Sequence, residues 1–412
     1  MSKTPYICNV FQKSKYMYQR KYYDIIKERI EEERTTIQVI AGPRQVGKST
    51  VVGQVLDDIA IPYISETADS IDPNNTEWIS SIWANARSIM EVRKHKEFLI
   101  VIDEIQKINN WSEFVKKEWD YDTRNRTNIK VILLGSSRLL IKKGLTESLA
   151  GRYELIRMGH WSFTEMRDAF GFDINQYIYY GGYPQGAKYI KNEKRWKDYI
   201  KDSIIEPIVS KDILMTTTIY KPALLKQLFE LACDYSSEIL SLTKMLGQLN
   251  DAGNVTTLSN YIDLLNDCQA VTKLHKFAND NARKFNSVPK YQVYNTALMS
   301  ANIGRGFEKE YTDSKRWGRW AESAVGAYLV GNAEEYGYQV YYWREENMEV
   351  DFVLEKKGKT IAIEVKSGRR STNDGISVFS KKFSPKLAFV VGSGAMSFED
   401  FFTMDLGILF EE

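Results

Sequence analysis

An octapeptide near the start of the chain has the residue types that bind nucleotide phosphates. It consists of Gly42, Pro43, Arg44, Gln45, Val46, Gly47, Lys48 and Ser49, and Thr50 follows it as a further nucleotide-binding candidate. Every fixed position of the pattern G-x-x-x-x-G-K-[ST] is present, and its glycines let successive backbone N–H groups face the phosphates. Lys48 is expected to reach the β- and γ-phosphates, and the Ser49 hydroxyl to ligate Mg²⁺. We name Gly42–Ser49 the phosphate loop and predict that it binds a nucleoside triphosphate. A glycine turn with a solvated lysine is the alternative.

Two carboxylates at the end of an apolar run would supply the second half of this chemistry. Asp103 and Glu104 directly follow the apolar run Phe98–Ile102. We expect Asp103 to hold Mg²⁺, directly or through water, and Glu104 to polarise the attacking water as a general base. Many strands end in a solvated acidic pair, but the phosphate loop upstream makes this pair a specific signal. No Asn-Lys-x-Asp tetrad, which reads guanine, follows these strands, so ATP is expected rather than GTP.

Two further positions have the chemistry to act on the γ-phosphate. The apolar run Val131–Leu134 is followed by Gly135, Ser136 and Ser137. A serine hydroxyl there would touch the γ-phosphate or the attacking water, and a strand-capping turn is an equally good account of either serine. Arg152 would bring a cation to the transition-state phosphates. A plain surface arginine is the competing account.

A third cluster with catalytic residue types lies near the C-terminus, at Asp351, Glu364 and Lys366. Side chains alternate along a strand, so Glu364 and Lys366 share one face, and Asp351 can meet Glu364 across a pair of neighbouring strands. Two close carboxylates with a lysine alongside form a Mg²⁺ site, in which the metal activates water and the lysine stabilises charge. A solvated hairpin with alternating charge is the alternative that the pattern leaves open.

The elements that position the nucleotide-binding candidates alternate between strands and helices. Thr35–Ala41, Phe98–Ile102 and Lys130–Leu134 are short and apolar, which predicts buried strands. Helical patterns over 13–34 and Ser49–Ile59 flank the first of them. This alternation predicts an α/β fold with a parallel sheet and helices on both faces. The carboxyl ends of its strands would bring the phosphate loop and the acidic pair together.

From about residue 205 the pattern changes. Helices are predicted over Pro222–Tyr235, Ser241–Asp251 and Thr256–Cys268, and strands over Thr272–Lys276 and Lys290–Tyr294, which is the outline of a winged helix. Beyond residue 305 a helix over Trp317–Val330 precedes β-rich segments at 338–343, 349–354, 360–366 and 387–392. We therefore predict three domains, over residues 1–205, 206–300 and 301–412.

Composition excludes several classes of protein. Of the 412 residues, 43% are apolar and 27% are charged, which excludes wholesale disorder, and a net charge of +2 excludes a histone-like polycation. The three cysteines and three histidines are too few and too scattered for a disulfide framework, a zinc cluster or a histidine-rich metal site. The apolar runs are too short to cross a bilayer, and the N-terminus lacks the apolar core of a signal peptide. We expect a cytoplasmic protein that does not contact membranes.

Local charge gives mixed signals about nucleic acid. Basic residues outnumber acidic ones between Lys366 and Lys386, and again in 305–320, where Trp317 and Trp320 are interleaved with them. Such stretches suit a phosphodiester backbone, although solvated loops would look similar. The third helix of the predicted winged helix instead carries Asp263 and Asp267 and no basic residue. We expect that helix to contact protein rather than DNA.

Six segments occur in a characteristic order: GPRQVGKST, FLIVIDEIQ, LLGSS, SLAGR, SFTE and GGYP. The order resembles a large bacterial and archaeal family of AAA-type ATPases, in which a C-terminal region related to PD-(D/E)xK nucleases follows the ATPase. The resemblance extends from roughly residue 20 to residue 395. It implies an AAA-type P-loop ATPase at the N-terminus and an α/β restriction-endonuclease-like domain at the C-terminus, with the winged-helix-like module between them.

The resemblance also implies roles for particular residues. Ser136 or Ser137 would be the sensor of the γ-phosphate, although Arg138 stands where another small polar residue is expected. Arg152 would be a nucleotide-responsive arginine that acts within the chain or across a subunit interface. Glu322 stands where PD-(D/E)xK enzymes often place a further acidic metal ligand. AAA-type modules commonly complete their sites between subunits, so a homo-oligomer and a single chain both stay open.

For the C-terminal domain the resemblance implies the fold more firmly than the activity. All three signature residues, Asp351, Glu364 and Lys366, are present, although Val350 replaces the proline of the family name. Related domains can keep the scaffold and act only as binding modules. Two functions therefore stay open. In one, ATP hydrolysis controls a nuclease-like module that acts on DNA or another nucleic acid; in the other, a signalling ATPase carries a catalytically silent binding domain.

Overall fold

The computed structural model describes residues 18–135, 144–145, 148–213, 219–250, 253–278, 287–368 and 375–411. The chain divides into two compact units, Met1–Met158 and Gly159–Glu412. Among the described residues, no helix is both long enough and apolar enough to span a bilayer.

The first unit alternates strands and helices. Its strands are β1 (Ile37–Ala41), β2 (Tyr63–Thr67), β3 (Phe98–Asp103), β4 (Ile129–Gly135) and β5 (Tyr153–Arg157). Its helices are α1 (Tyr22–Glu31), α2 (Lys48–Asp58), α3 (Glu77–Arg93) and α4 (Trp111–Asn125), with 3₁₀ turns at Ala68–Ser70 and Ile105–Lys107. The described strands form one parallel sheet in the order β2-β3-β4-β1-β5. The predicted parallel α/β fold is therefore confirmed.

The apolar runs explain why β1 and β4 lie inside the sheet. Every residue of both strands is buried. Consecutive side chains point to opposite faces, so complete burial means that both faces of the sheet are covered. On one face Trp83 of α3 and Val115 of α4 pack against Val39 and Ile100. The edge strands β2 and β5 are partly exposed, as expected for strands with one neighbour.

A buried ion pair joins α3 to α4. Arg87 Nε donates to Asp122 Oδ1 at 2.8 Å, and its NH1 group donates to Glu118 Oε2 at 2.7 Å. The Asp122 side chain has no exposed surface, and burial raises its pKa. Removing the cation would leave that carboxylate buried without its main compensating charge.

The second unit contains the remaining elements. Its helices are α5 (Phe163–Phe170), α6 (Ile174–Tyr180), α7 (Glu193–Ile200), α8 (Pro222–Asp234), α9 (Leu242–Leu246), α10 (Val255–Asp267), α11 (Ala297–Ser300), α12 (Phe307–Thr312), α13 (Ser314–Tyr336), α14 (Gly375–Phe383) and α15 (Phe398–Thr403). Its strands are β6 (Val271–Lys276), β7 (Lys290–Val293), β8 (Gln339–Glu345), β9 (Met348–Lys356), β10 (Lys359–Lys366) and β11 (Leu387–Gly392). Shorter turns lie at Gly186–Tyr189, Lys201–Ile205, Ile208–Asp212 and Leu406–Phe410.

The described strands of the second unit form a single mixed sheet in the order β11-β10-β9-β8-β6-β7. The helices α8, α9 and α10 and the antiparallel pair β6–β7 follow the predicted winged-helix order. However, β6 also pairs in parallel with β8, through His275 opposite Tyr341 and Lys276 opposite Tyr342. The predicted boundary at residue 300 therefore lies within one compact unit.

Buried polar contacts join the two sides of this predicted boundary. Gln292 of β7 donates from Nε2 to the carbonyl oxygen of Ser323 on α13 at 2.8 Å. The hydroxyl groups of Ser237 and Ser323 lie 3.0 Å apart in the same buried region. A side chain at Gly326 would meet Gln292 Oε1 at 2.1 Å, so the helix packs closely on the strand. Such a network is satisfied only when both segments are present.

The predicted boundary at residue 205 also differs from the structure, in which the division falls at Met158. Helices α5, α6 and α7 belong to the second unit, where Tyr179 of α6 stacks on Trp320 of α13 with ring centroids 6.3 Å apart. Tyr179 also donates its hydroxyl hydrogen to Glu193 at 2.8 Å. The segment from α5 to α7 therefore packs with residues more than one hundred positions later.

We expect Arg87→Leu to lower the free energy of unfolding of the first unit by about 3 kcal/mol, because it leaves the Asp122 carboxylate buried and unpaired. Urea denaturation followed by tryptophan fluorescence would measure the change. Arg124→Leu, at an exposed site on α4, is the matched control and is expected to change stability by less than about 0.5 kcal/mol. Equal effects of the two substitutions would contradict the role of the ion pair.

Candidate functional site

The phosphate loop joins the end of β1 to the start of α2. Its Gln45 and Gly47 both have positive φ, at 62° and 88°, so the backbone curls back before the helix begins. Lys48 Nζ donates to the carbonyl oxygens of Gly42 at 3.0 Å and Pro43 at 2.8 Å. The lysine thus lies over the loop, next to the N-terminal end of α2, where anions are favoured.

Two contacts that the sequence did not predict hold the loop in place. Arg20 is almost fully buried, and its NH1 group donates to the carbonyl oxygen of Val46 at 3.0 Å. Gly42 packs so closely on the chain that an added Cβ would lie 2.2 Å from the carbonyl oxygen of Met158. Neither contact has a local signal, because each joins the loop to a residue distant in sequence.

The acidic pair stands beside the loop as predicted. Ser49 donates its hydroxyl hydrogen to Asp103 Oδ2 at 2.5 Å, and Asp103 Oδ1 accepts from the backbone N–H of Glu104 at 2.8 Å. Glu104 has a positive φ of 53°, and its Oε2 accepts from Gln106 Nε2 at 2.6 Å. Ser49 and Asp103 are the two residues that would hold Mg²⁺, and their hard oxygen donors suit that ion.

The order of the sheet places a third polar segment between these two. Strand β4 lies between β1 and β3, so the chain leaves β4 at Gly135 between the phosphate loop and Asp103. The predicted sensor candidates Ser136 and Ser137, and the unexpected Arg138, lie outside the described residues. Their assignment stays a prediction.

Arg152 does not lie beside the phosphate loop. It precedes β5, which runs parallel to β1 with Tyr153 opposite Ile37, and its carbonyl oxygen accepts from Ile37 N at 2.8 Å. The phosphate loop leaves the other end of β1, about 16 Å away at about 3.3 Å per residue. The guanidinium instead forms two hydrogen bonds with Asp120, at 2.8 and 3.2 Å. The structure therefore does not bring Arg152 to the phosphate loop of its own chain, and action across a subunit interface and a plain surface arginine both stay open.

The second unit brings the C-terminal candidates together. Residues from α13, β9 and β10 line an open pocket of about 480 Å³, which we name the carboxylate cleft: Glu322, Glu349, Asp351, Glu364 and Lys366. In the β9–β10 pair Phe352 lies opposite Ile363, so Asp351 and Glu364 occupy the next opposed positions. Asp351 Oδ2 accepts from Val365 N at 2.7 Å, and Glu364 Oε1 accepts from Lys366 Nζ at 2.6 Å.

A lysine that the sequence analysis missed lies among these carboxylates. Lys290 of β7 is fully buried, and its Nζ lies 2.5 Å from Glu322 Oε1 and 3.4 Å from Glu349 Oε1. It also lies 3.3 Å from the carbonyl oxygen of Asp351. Its strand pattern, Lys-Tyr-Gln-Val, predicts only a β-strand. The contact depends on how β7 and α13 pack, which no local pattern reveals.

The cleft carries an excess of negative charge. Its lining includes the carboxylates of Glu322, Glu349, Asp351 and Glu364 and the ammonium group of Lys366, and the buried ammonium group of Lys290 lies behind the lining, which gives a formal charge of −2. Glu238 and Arg344 also line the cleft and add no net charge.

Burial and the neighbouring charge shift the ionisation of the cleft. Burial, followed by the charge of Asp351, raises the pKa of Glu364 to about 7 and that of Glu322 to about 8. A divalent cation would relieve the repulsion between these carboxylates.

Only part of a metal site is supplied by the chain. Across the described ranges, no three His, Cys, Asp or Glu side chains are arranged around one point as ligands of an ion. Mg²⁺ is commonly held by one or two carboxylates, with water and substrate phosphates completing its octahedron. Asp351 and Glu364 fit that requirement, because they are opposed across two strands. Glu322, which the resemblance implied as a further ligand, contacts Lys290 instead.

The basic stretches predicted to bind nucleic acid are largely paired with carboxylates of their own unit. Arg316 bonds Glu310 at 2.6 Å, Arg319 bonds Glu238 at 3.1 Å, and Lys382 bonds Glu345 at 2.6 Å. Trp317 and Trp320, interleaved with the first stretch, are both buried and belong to the core. Asp263 of α10 is paired with Lys273 at 2.8 Å. Arg369, Arg370 and Asp374 lie outside the described residues.

We expect Arg152→Ala to leave the ATP affinity of the isolated chain within about twofold of wild type, because the guanidinium is paired with Asp120 and Arg152 precedes β5, at the end of the sheet opposite the loop. Lys48→Ala is the positive control, since it removes the cation that reaches the phosphates. Isothermal titration calorimetry at low protein concentration would measure both. A loss of affinity in Arg152→Ala equal to that in Lys48→Ala would contradict the described position.

We expect Glu364→Gln to stabilise the second unit relative to wild type as the pH rises from 5 to 8, in the presence of EDTA. A carboxyl group with a raised folded pKa binds more protons in the folded state. It therefore destabilises the fold increasingly between its unfolded pKa of 4.5 and its folded pKa of about 7. The shift corresponds to a relative gain of at most about 3 kcal/mol for the glutamine variant. Urea denaturation at both pH values would measure it.

Glu345→Gln is the matched control for this pH dependence. Glu345 is exposed, and its hydrogen bond to Lys382 lowers its pKa. Ionisation of this carboxyl group therefore favours the folded state, and we expect Glu345→Gln to lose stability relative to wild type as the pH rises. If Glu364→Gln behaved in the same direction as Glu345→Gln, the ion pair with Lys366 would outweigh the burial of Glu364.

Family models match three consecutive parts of the chain. Residues 34–167 match the model of an AAA domain. Residues 171–309 match a domain of unknown function (DUF8612), and residues 317–404 match another domain of unknown function (DUF4143). The first match contains the phosphate loop and the acidic pair, and the third contains Asp351 and Glu364.

Two curated relatives align with most of the chain. An uncharacterized protein of Haemophilus influenzae is 24% identical over 348 residues, which cover 80% of this chain and 82% of that protein. An uncharacterized protein of Methanocaldococcus jannaschii is 22% identical over 349 residues, which cover 79% of this chain and 73% of that protein.

Solved structures show a more distant likeness. A Walker-type ATPase of Pyrococcus abyssi is 13% identical, with a TM-score of 0.49, over 69% of this chain and 96% of that one. A RuvB variant of Thermotoga maritima is 13% identical, with a TM-score of 0.33, over 61% of this chain and 85% of that one. The family match alone therefore decides the assignment. It confirms that residues 34–167 are an AAA-type P-loop ATPase domain.

Proposed function

We propose that the ATPase domain binds and hydrolyses ATP with Mg²⁺, and that its nucleotide cycle controls the second unit, whose carboxylate cleft cleaves nucleic acid. One observation carries each half. The hydrogen bond between Ser49 and Asp103 brings the two expected Mg²⁺ ligands together. The opposed positions of Asp351 and Glu364, with Lys366 beside them, support a phosphodiester-cleaving site.

The phosphate loop and the acidic pair would have separate roles in the hydrolysis of ATP. The backbone N–H groups before α2 would bind the phosphates, and Lys48 would exchange its bonds to Gly42 and Pro43 for bonds to phosphate oxygens. Ser49 and Asp103 would hold Mg²⁺, which would supply positive charge to offset that of the phosphates. Glu104 would accept a proton from the attacking water once its carboxylate leaves Gln106.

The carboxylate cleft would act on a phosphodiester in a similar division of roles. Asp351 and Glu364 would hold a divalent ion, which supplies a water of lowered pKa and polarises the phosphate. Lys366, whose ammonium group contacts Glu364, would stabilise the negative charge that develops on the phosphate oxygens. The cleft is open to solvent, so a nucleic-acid strand could enter it from outside.

A second function is supported by specific contacts. Lys290 already neutralises part of the cleft, and Arg316, Arg319 and Lys382 are paired with carboxylates of the same unit. These pairs reduce the positive charge available to a phosphodiester backbone. They favour a signalling ATPase whose second unit binds a ligand without cutting it. Both functions retain ATP hydrolysis in the first unit.

Cleavage assays would decide between the two. We expect the wild type to cut plasmid or single-stranded DNA with Mg²⁺ or Mn²⁺, and both Asp351→Ala/Glu364→Ala and the isosteric Asp351→Asn/Glu364→Gln to lose cleavage. Each protein would be assayed with and without ATP. A wild type that hydrolyses ATP but cuts neither substrate would overturn the nuclease and leave the binding module.

The Glu104→Gln variant tests control by the nucleotide cycle. It should still bind ATP but hydrolyse it about 10²- to 10⁴-fold more slowly, because the general base is absent. If ATP hydrolysis controls the cleft, this variant should stay in the ATP-bound state. Its rate of nucleic-acid cleavage should then stay at the value typical of that state, whether that value is high or low. Cleavage that is the same in wild type and Glu104→Gln under every nucleotide condition would show that the two units act independently.

A further inference from the structure

We propose that Lys290 is a built-in cation of the carboxylate cleft, which occupies the side formed by Glu322 and Glu349. On this proposal the cleft binds one divalent ion, held by Asp351 and Glu364, and Glu322 is a partner of the lysine rather than a metal ligand. The inference rests on the proposed metal-dependent function of the cleft and specifies its stoichiometry.

Acceptors from three residues surround the ammonium group of Lys290. Its Nζ lies 2.5 Å from Glu322 Oε1, 3.4 Å from Glu349 Oε1 and 3.3 Å from the carbonyl oxygen of Asp351. The contacts with Glu349 and with the Asp351 carbonyl are hydrogen bonds, and the contact with Glu322 is an ion pair. The ring of Phe352 lies 5.0 Å from Nζ and covers it further. The ammonium group is thus surrounded by acceptors in the way that a bound cation is.

Opposite charges compensate for the burial of Lys290. The carboxylates of Glu322 and Glu349 lie 2.5 and 3.4 Å from its Nζ, and Asp351 Oδ1 lies at 3.8 Å. The ammonium group is also attached to β7, so it cannot diffuse away as a metal ion can. A second divalent ion beside Glu322 would lie within a few ångströms of a fixed positive charge and would be repelled.

The atoms of Asp351 divide the cleft into two sides. Its Oδ1 faces Lys290 at 3.8 Å, whereas its Oδ2 accepts from Val365 N on β10 at 2.7 Å. Glu364 and Lys366 lie on the β10 side, where Glu364 Oε1 and Lys366 Nζ are 2.6 Å apart. A divalent ion between Asp351 and Glu364 would thus lie on the side away from Lys290.

The charge of the cleft agrees with one ion. With every carboxyl group ionised, four carboxylates and two ammonium groups give a formal charge of −2, which a single divalent cation brings to zero. Two divalent cations would leave a charge of +2 in a partly buried site. Replacing Lys290 by a neutral residue changes the cleft to −3 and frees Glu322 and Glu349 to bind an ion.

Mn²⁺ binding to the full chain tests the inference, with electron paramagnetic resonance to count bound ions. The Asp103→Asn background and the absence of nucleotide remove the Mg²⁺ site of the ATPase domain. We expect one bound Mn²⁺ in this background and in the added Lys290→Arg control, which keeps the charge. Lys290→Met should bind a second Mn²⁺. Two bound ions before Lys290 is changed, or a single ion in folded Lys290→Met, would overturn the inference.

A second comparison decides the matter even if Lys290→Met fails to fold. Glu364→Gln should weaken Mn²⁺ binding at least about fiftyfold, because it removes a ligand, whereas Glu322→Gln should weaken it less than about fivefold. Equal losses in the two variants would make Glu322 a metal ligand and overturn the inference alone. Absence of Mn²⁺ binding before any change in the cleft would instead overturn the proposed metal-dependent function, and the inference with it.

Discussion

The burial of one ammonium group constrains most of the second unit. Lys290 has no exposed side-chain surface, so its charge must be met by acceptors that belong to the protein. Those acceptors come from α13 and β9, and they reach Nζ only when β7 packs against both. The pairing of β6 with β8 and the packing of Gly326 on Gln292 bring these elements together. The same arrangement places Asp351 and Glu364 next to the ion pairs of Lys290 in the carboxylate cleft.

In the first unit the direction of the strands is the corresponding constraint. A parallel sheet sends every carboxyl end to one edge, and the phosphate loop and Asp103 meet there for that reason. The same rule keeps Arg152 away from the phosphate loop, because Arg152 lies at the beginning of β5 and not at its end. A basic residue next to a strand of the sheet can therefore be remote from the phosphate loop in space. The sheet, rather than the motif, decides which charges the nucleotide meets.

Local patterns predicted those features that depend on neighbours in sequence. The phosphate loop and the acidic pair each follow one apolar strand, and the alternation of side chains was enough to oppose Asp351 and Glu364. The features that were missed depend on contacts between distant segments. Lys290 stands in an ordinary strand pattern. The polar network around Gln292 and the aromatic packing around Tyr179 join segments that the predicted boundaries at 300 and 205 separate. A buried charge requires partners, and these partners come from segments that are distant in sequence. The pattern of a single sequence therefore does not reveal them.

The shared sheet of the second unit has a consequence for how such proteins can be rearranged. The segments matched by two family models end and begin at residues 309 and 317. This boundary separates β7 from the carboxylates that its lysine neutralises. Recombination there would combine the ammonium group of one parent with the carboxylates of another. The product would fold only if those carboxylates still compensate for the buried charge. A crossover near residue 158, where the chain divides into its two compact units, would keep the ammonium group and its acids in one parental segment.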